Sequence, residues 1–364
     1  MTIFLFVVFA LIGLILLAEG ISRLAFLVYF HIPFHDRRIA EYPYRLYLEK
    51  TDPPVHVVFK KGFRSPKVNI NRFGLRGDEP AVDGTKRRIL VVGESPFFGP
   101  KLRDESLIWS KQLQQKLAKS GHEDWEVING GTPLYNSAQH WYFWENALSE
   151  VNPEILVVAL GANDVAQMTV FGERWQPGVH WPFEFLLKLE RKGTWWNSFL
   201  SRFCFYFWLR RLFEGAAPKG FPRGEGALPW VACKQHILNQ YRNFYEFARQ
   251  KGVRIAFSNS LPAYNLEVTA EDERRLSSIQ RNYRESIERD GYYLFDLRDA
   301  VANQLCPELN IPYLDLKIDL DQFPHRYECW YDLGHWNERG MTFMADVLYK
   351  RIDQLGWWDH KTNS

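Results

Sequence analysis

The stretch R-I-L-V-V-G-E-S-P-F-F-G, residues 88–99, decides the fold. Its apolar run reads as a buried strand that ends on Gly93 and hands Glu94 and Ser95 to the open end of a sheet. A serine in that place is either a turn residue or a nucleophile, and the second reading needs partners elsewhere in the chain. Outward from it an alternating rhythm continues. An amphipathic helix is expected over 105–119, with Leu107, Trp109, Leu113 and Leu117 near one face. Strands are expected at 125–129, 154–160, 253–258 and 292–297, with helices over 137–150, 235–251 and 271–289. A last helix opens near Asn337 and carries Met341, Phe343, Met344, Val347 and Leu348. Strands alternating with helices predict a parallel sheet covered on both faces. In such sheets functional groups collect where the strands end.

The 364 residues are enough for one large domain or two small ones. With 45 Lys and Arg against 43 Asp and Glu, the charge balance gives no reason to expect a nucleic-acid partner. Aromatic residues make up 16%, including 14 Trp, a load that fits membrane-interface or carbohydrate contacts. The four cysteines (Cys204, Cys233, Cys306, Cys329) form no C-x-x-C pair, so they signal neither zinc nor a disulfide framework. No cofactor is called for.

Residues 1–30 read as a membrane anchor. From Ile3 to Ala18 every residue is uncharged, Glu19 and Arg23 then stand one helical turn apart, and the apolar run resumes over 24–30. That length roughly matches a spanning helix. No Lys or Arg precedes Arg23 and no small-residue cleavage motif follows, which favours a retained anchor over a cleaved signal. Residues 31–85 form a loop-rich lead-in ending in "NRFGLRGDEPAVDGTKRR", and 86–360 the α/β domain. An insertion at about 171–232 interrupts the rhythm, with Trp195, Trp196 and an aromatic run whose readings are a packed extra helix, a lid, or an interfacial helix.

Four polar loops fall where strands end: G-E-S at 93–95, N-G-G at 129–131, G-A-N-D at 161–164, and D-L-G-H at 332–335. Each alone is a weak signal; their order and placement are not. Together they resemble the SGNH hydrolases, the GDSL-like esterase/lipase superfamily, over roughly 86–170 and 233–355. "NRFGLRG" at 71–77 also looks like a segment found ahead of this domain in membrane-anchored bacterial members. The resemblance implies a flavodoxin-like three-layer α/β/α sandwich with a central parallel sheet. The chain departs from the family pattern at Glu94, where Asp is usual, and at Pro96, Phe97 and Phe98, which suggest an apolar wall beside the nucleophile.

A serine hydroxyl needs a base, and His335 is the candidate for Ser95, with Asp332 orienting the imidazole. The developing oxyanion needs preorganised donors. The resemblance assigns these to the Ser95 amide, the Gly131 amide and the Asn163 side chain. Asp164 is expected to cap the helix that follows it, Asp296 to shape the site from a strand end, and His325 and Cys329 to lie near the histidine loop. The expected activity is a membrane-anchored serine esterase or deacylase removing O-acyl groups, acetyl among them, from a carbohydrate or lipid. The alternatives are an O-acyltransferase that modifies a cell-envelope polysaccharide beside a membrane-bound O-acyltransferase partner, and a non-catalytic subunit of a membrane assembly. Arg23, Arg37 and Arg38 follow the apolar run and lean toward a cytoplasmic domain. The resemblance leans toward an extracytoplasmic one.

Overall fold

The computed structural model describes residues 2–30, 48–51, 55, 57–65, 68–82, 84–100, 102, 104–177, 205, 226–259, 284–331 and 334–359. They divide into two compact units, Met1–Lys50 with Phe183–Lys219, and Thr51–Pro182 with Gly220–Ser364.

The first unit is built on α1, Thr2–Phe30. Its stretch Leu5–Ala25 is long and apolar enough to cross a membrane, and large apolar side chains such as Phe6, Phe9 and Leu14 are exposed. Glu19 and Arg23 pair at 2.7 Å, and the second Glu19 oxygen accepts the Phe205 amide at 3.1 Å. Unpaired, either charge would be costly in an apolar surrounding.

The second unit holds a five-stranded parallel sheet: β1 (Arg87–Gly93), β2 (Trp125–Gly131), β3 (Ile155–Ala159), β4 (Arg254–Ser258) and β5 (Tyr313–Leu314), in the order β2-β1-β3-β4-β5. This is the flavodoxin-like order, in which the order of strand addition along the sheet reverses between β1 and β3. The strand interiors are apolar on both sides because both sides are covered. Ile89, Val91 and Val157 face one core with α3 (Trp109–Lys119) and a C-terminal helix, Glu338–Gln354. Leu90, Val92, Leu156 and Val158 face the other, filled by Trp144, Ile237, Tyr241, Phe244 and Leu297. Those five come from α4 (Ser137–Val151), α6 (Trp230–Lys251) and α7 (Arg284–Ala300). Between β1 and α3 lies the one-turn α2 (Ser95–Phe98), and α5 (Ala162–Phe171) follows β3.

One expected strand is a helix. Residues 292–297 lie inside α7, where Leu294 and Leu297 are buried one helical turn apart while Tyr292 is exposed. A six-residue apolar run does not separate strand from buried helix. The fifth strand is instead the two-residue β5. The expected helix over 271–289 falls mostly outside the described residues, as does most of the insertion. Of the lead-in, Leu48–Lys50 falls in the first unit and the described residues from 51 to 85 in the second, where Arg76 bridges both Ile70 and Asn129 of β2.

Candidate active site

Ser95 opens α2 at the carboxyl end of β1. The turn is fixed from every side. The Glu94 carbonyl accepts the amides of Phe97 and Phe98 at 3.0 and 3.3 Å, and Gly99, at φ 71°, closes the turn by donating to the Ser95 carbonyl at 3.1 Å. The carbonyls that a helix end leaves unpaired are taken by side chains. Trp109 Nε1 and Asn129 Nδ2 donate to the Phe97 carbonyl at 2.7 and 3.0 Å. Arg76 Nη1 donates to the carbonyls of Phe98 and Gly99 at 2.9 and 2.5 Å, while its other nitrogens hold Glu105. Arg76, from the lead-in motif, is fully buried and holds the end of the Ser95 turn. Pro96, Phe97 and Phe98 are buried as well; where an apolar wall was expected, Phe97 packs into the core with Trp109 and Phe98 stacks on Phe59 with ring centroids 4.8 Å apart. Ser95 itself is half-buried, and among the described residues its hydroxyl and amide have no hydrogen-bond partner.

Glu94 is fully buried beneath the loop after β3. Its Oε1 accepts the amides of Gly161 and Asn163 at 3.1 and 2.9 Å, and its Oε2 the amide of Ala162 at 3.1 Å. These are the unpaired donors that open α5, where a carboxylate is also favoured by the helix dipole. Asn163, half-buried, donates Nδ2 to the Tyr135 carbonyl at 2.8 Å. A primary amide has a second N–H, and no acceptor among the described residues takes it. Asp164 reaches two helices, its carboxylate taking its own backbone amide in the first turn of α5. It is buried and accepts the Ser137 amide and hydroxyl at 2.9 and 2.8 Å, thereby holding the start of α4. Burial pushes its carboxyl pKa up, against those two hydrogen bonds.

The loop after β2 is where the structure departs from the expected oxyanion hole. Gly131 is buried, its amide donates to Asn129 Oδ1 at 2.9 Å, and a Cβ there would stand 2.4 Å from the Phe98 amide nitrogen. Gly131 is therefore the place where α2 packs against β2, and its N–H is committed within the strand end. The Thr132 amide donates to the Gly93 carbonyl at 2.9 Å. Asn136 and Gln139 cap α4 reciprocally, each side chain accepting the other's amide at 2.9 and 3.1 Å. Leu134, two residues before Asn136, stands at φ 72° and is 39% exposed, and its amide has no partner among the described residues. Residue type alone gave no sign of it, since leucine is not expected in left-handed backbone.

His335 sits on a short hairpin. The Tyr331 amide donates to the His335 carbonyl at 2.9 Å and the Asn337 amide to the Cys329 carbonyl at 2.9 Å. At its base Trp330 and Trp336 stack with ring centroids 3.8 Å apart, and Phe97 shares their core. The Ser95 turn and the histidine hairpin thus rest on one packed layer. Among the described residues no hydrogen bond joins the Ser95 hydroxyl to the His335 ring. Asp332 lies outside the described residues, as do Trp195 and Trp196.

Asp296 is on α7 rather than a strand end and accepts Trp230 Nε1 and Lys234 Nζ at 2.6 and 2.8 Å. His325 is exposed beside Glu328. Cys233, Cys306 and Cys329 are buried and free, and burial pushes the thiols of Cys306 and Cys329 up to about 12, so neither is an activated nucleophile. Among the described residues no group of His, Cys, Asp and Glu could hold a metal ion.

No protein-family model and no curated protein matches the chain. Among solved structures it is similar to a lipase/acylhydrolase from Enterococcus faecalis at 15% identity and TM-score 0.43, over 74% of this chain and 96% of that one. An acetyl xylan esterase, AlAXEase, matches at 12% identity and TM-score 0.42, over 73% and 99%. The psychrotrophic esterase EstA from Pseudoalteromonas sp. matches at 13% identity and TM-score 0.41, over 74% and 98%.

Proposed function

We propose that the chain is a membrane-anchored serine esterase or deacylase of the SGNH type, acting on O-acyl groups of a carbohydrate or lipid. One observation carries this reading. Glu94, between β1 and Ser95, binds the three amides that open α5, so Ser95 and Asn163 form one unit at the point where strand order reverses. That crevice is where open α/β sheets bind their ligands.

In the proposed reaction Ser95 Oγ attacks the acyl carbon as His335 accepts its proton. The bond from that carbon to the alcohol oxygen breaks, and His335 returns the proton to the leaving alcohol. Water, deprotonated by His335, then releases the acid and restores the serine. Asp332 orients the imidazole. The oxyanion is met by the Ser95 amide, the free N–H of Asn163 Nδ2, and the amide of Leu134 in the place expected for Gly131. A sugar hydroxyl in place of water makes the same residues an O-acyltransferase. The apolar α1 supports attachment to a membrane, and a cell-envelope substrate puts the domain on its extracytoplasmic side.

The test is intact-mass labelling of the detergent-solubilised full chain with a fluorophosphonate. A single adduct is expected on the wild type and none on Ser95→Ala or His335→Ala. A folded wild type that takes no adduct overturns the enzymatic reading and leaves the non-catalytic subunit.

A further inference from the structure

The turn that carries Ser95 has little to hold itself with. It is a single turn of four residues, in which the Glu94 carbonyl takes two amides and the Ser95 carbonyl one. A lone helical turn is unfavourable by itself, so its geometry is set by what grips it from outside. The carbonyl end is gripped by side chains from three parts of the chain: Trp109 of α3, Asn129 of β2 and Arg76 of the lead-in.

Arg76 is the charged member of that set, and its Nη1 reaches both the Phe98 and the Gly99 carbonyls. Its Nε and Nη2 donate to Glu105 Oε2 at 2.9 and 2.6 Å, and its guanidinium carbon lies 5.2 Å from the centroid of the Phe98 ring. Buried without a partner, such a charge would be costly; Glu105, nearly as buried, supplies the counter-charge. Its backbone is bridged to Asn129, so two of the three grips share one support. A planar fork can hold two carbonyls and a carboxylate at once, whereas an ammonium is a point charge.

We propose that Arg76 is a positioning residue of the acylation step: by holding the carbonyl end of the turn, it keeps the Ser95 hydroxyl and amide, at the other end, where the acyl carbon is attacked. This gives the segment at 71–77 a part in the reaction. The inference rests on the serine-esterase reading above.

The experiment follows fluorophosphonate labelling of the full chain in detergent by intact mass, over a range of probe concentrations. Each rate is scaled to the folded fraction read by near-ultraviolet circular dichroism. Arg76→Lys keeps the charge beside Glu105 without the fork. Arg76→Met/Glu105→Met replaces the buried pair with apolar side chains, an exchange that is often neutral for stability, and carries the test should the single variant not fold. Phe244→Leu, in the core on the other face of the sheet, is the control for general loss of stability. The maximal labelling rate per folded molecule is expected to fall about tenfold in Arg76→Lys and about a hundredfold in the double variant, the scale of a displacement of about 1 Å near the chemistry. The half-saturating probe concentration is expected to stay at the wild-type value, and Phe244→Leu to keep the wild-type rate. A merely structural role would lower the folded fraction and leave the rate per folded molecule unchanged. That result, equal slowing in Phe244→Leu, or failure of both Arg76 variants to fold overturns the role of Arg76 while wild-type labelling of Ser95 stands. A folded wild type that takes no adduct overturns the esterase reading and this inference with it.

Discussion

Glu94 has one methylene more than the aspartate usual at that place in the resembled family, and the extra reach is used. Its two oxygens collect three backbone amides across the gap between β1 and β3. An amide side chain in its place would turn an NH2 group toward N–H donors and lose the negative charge at the start of α5. Hydrogen bonds to charged groups are worth about 1.5–3 kcal/mol. Glu94→Gln is therefore expected to lose about 2 kcal/mol in urea unfolding and to slow fluorophosphonate labelling of Ser95, because Asn163 and the nucleophile turn lose their common tie. Equal labelling rates in a folded variant would show that Glu94 supports the fold without positioning the site. Asp164 makes a related point: it follows Asn163 directly, and its carboxylate serves the start of α4 through Ser137 as well as its own backbone amide in α5.

At the level of elements, the histidine hairpin depends on a glycine in the helix behind it. Gly340 lies two residues into Glu338–Gln354, and a Cβ there would stand 2.4 Å from both the Cys329 carbonyl and the Trp336 ring. Neither can move without opening the Trp330–Trp336 stack that closes the hairpin. Gly340→Ala is expected to destabilise the protein by about 1–3 kcal/mol, the scale of overpacking a tight core. The loss should show in thermal unfolding and in the near-ultraviolet circular dichroism of the stacked indoles. An unchanged melting temperature would mean the hairpin is not pinned there. In the sequence β1 and β3 stand out as the apolar runs 89–92 and 155–160, as buried parallel strands do, while β2 and β4 carry shorter ones at 127–128 and 255–257. β5 has two residues and no pattern of its own, and Tyr292–Leu297 has an apolar run that only the packing of Leu294 and Leu297 assigns to a helix.

Across the whole molecule, the sheet order brings loops from 93–95, 131–136 and 161–164 to one edge, and the buried polar groups behind that edge carry an acid sensitivity. His140, on α4, is fully buried beside Thr132 Oγ1 at 3.1 Å and the Tyr135 ring, and burial lowers its pKa from 6.5 to about 3. Between those values the unfolded chain binds the proton and the folded chain does not. Stability is therefore full above about pH 6.5 and falls as the pH drops from there toward 3, by up to about 1.4 kcal/mol per unit. His140→Gln, measured by urea unfolding at pH 7 and pH 5, is expected to lose less stability on acidification than wild type. An identical pH dependence would remove His140 as its source.

The chain's own pattern was sufficient for the alternation of strands and helices, the apolar α1, and the candidates Ser95, Asn163 and His335, because periodicity and short loops at strand ends are local properties. Which amide is free, which carboxylate caps which helix, and that Phe97 and Phe98 are core are matters of what lies across the sheet. Gly131 and Leu134 show the difference. A glycine after a strand suggested an open donor, but Phe98 packs against it and Asn129 takes its N–H. A leucine gave no hint of left-handed backbone, yet the ties of Thr132 to Gly93 and of Tyr135 to Asn163 hold it there. Hydrogen bonds between residues far apart in the chain are set only when the strands are brought side by side, and those bonds decide the geometry of this site.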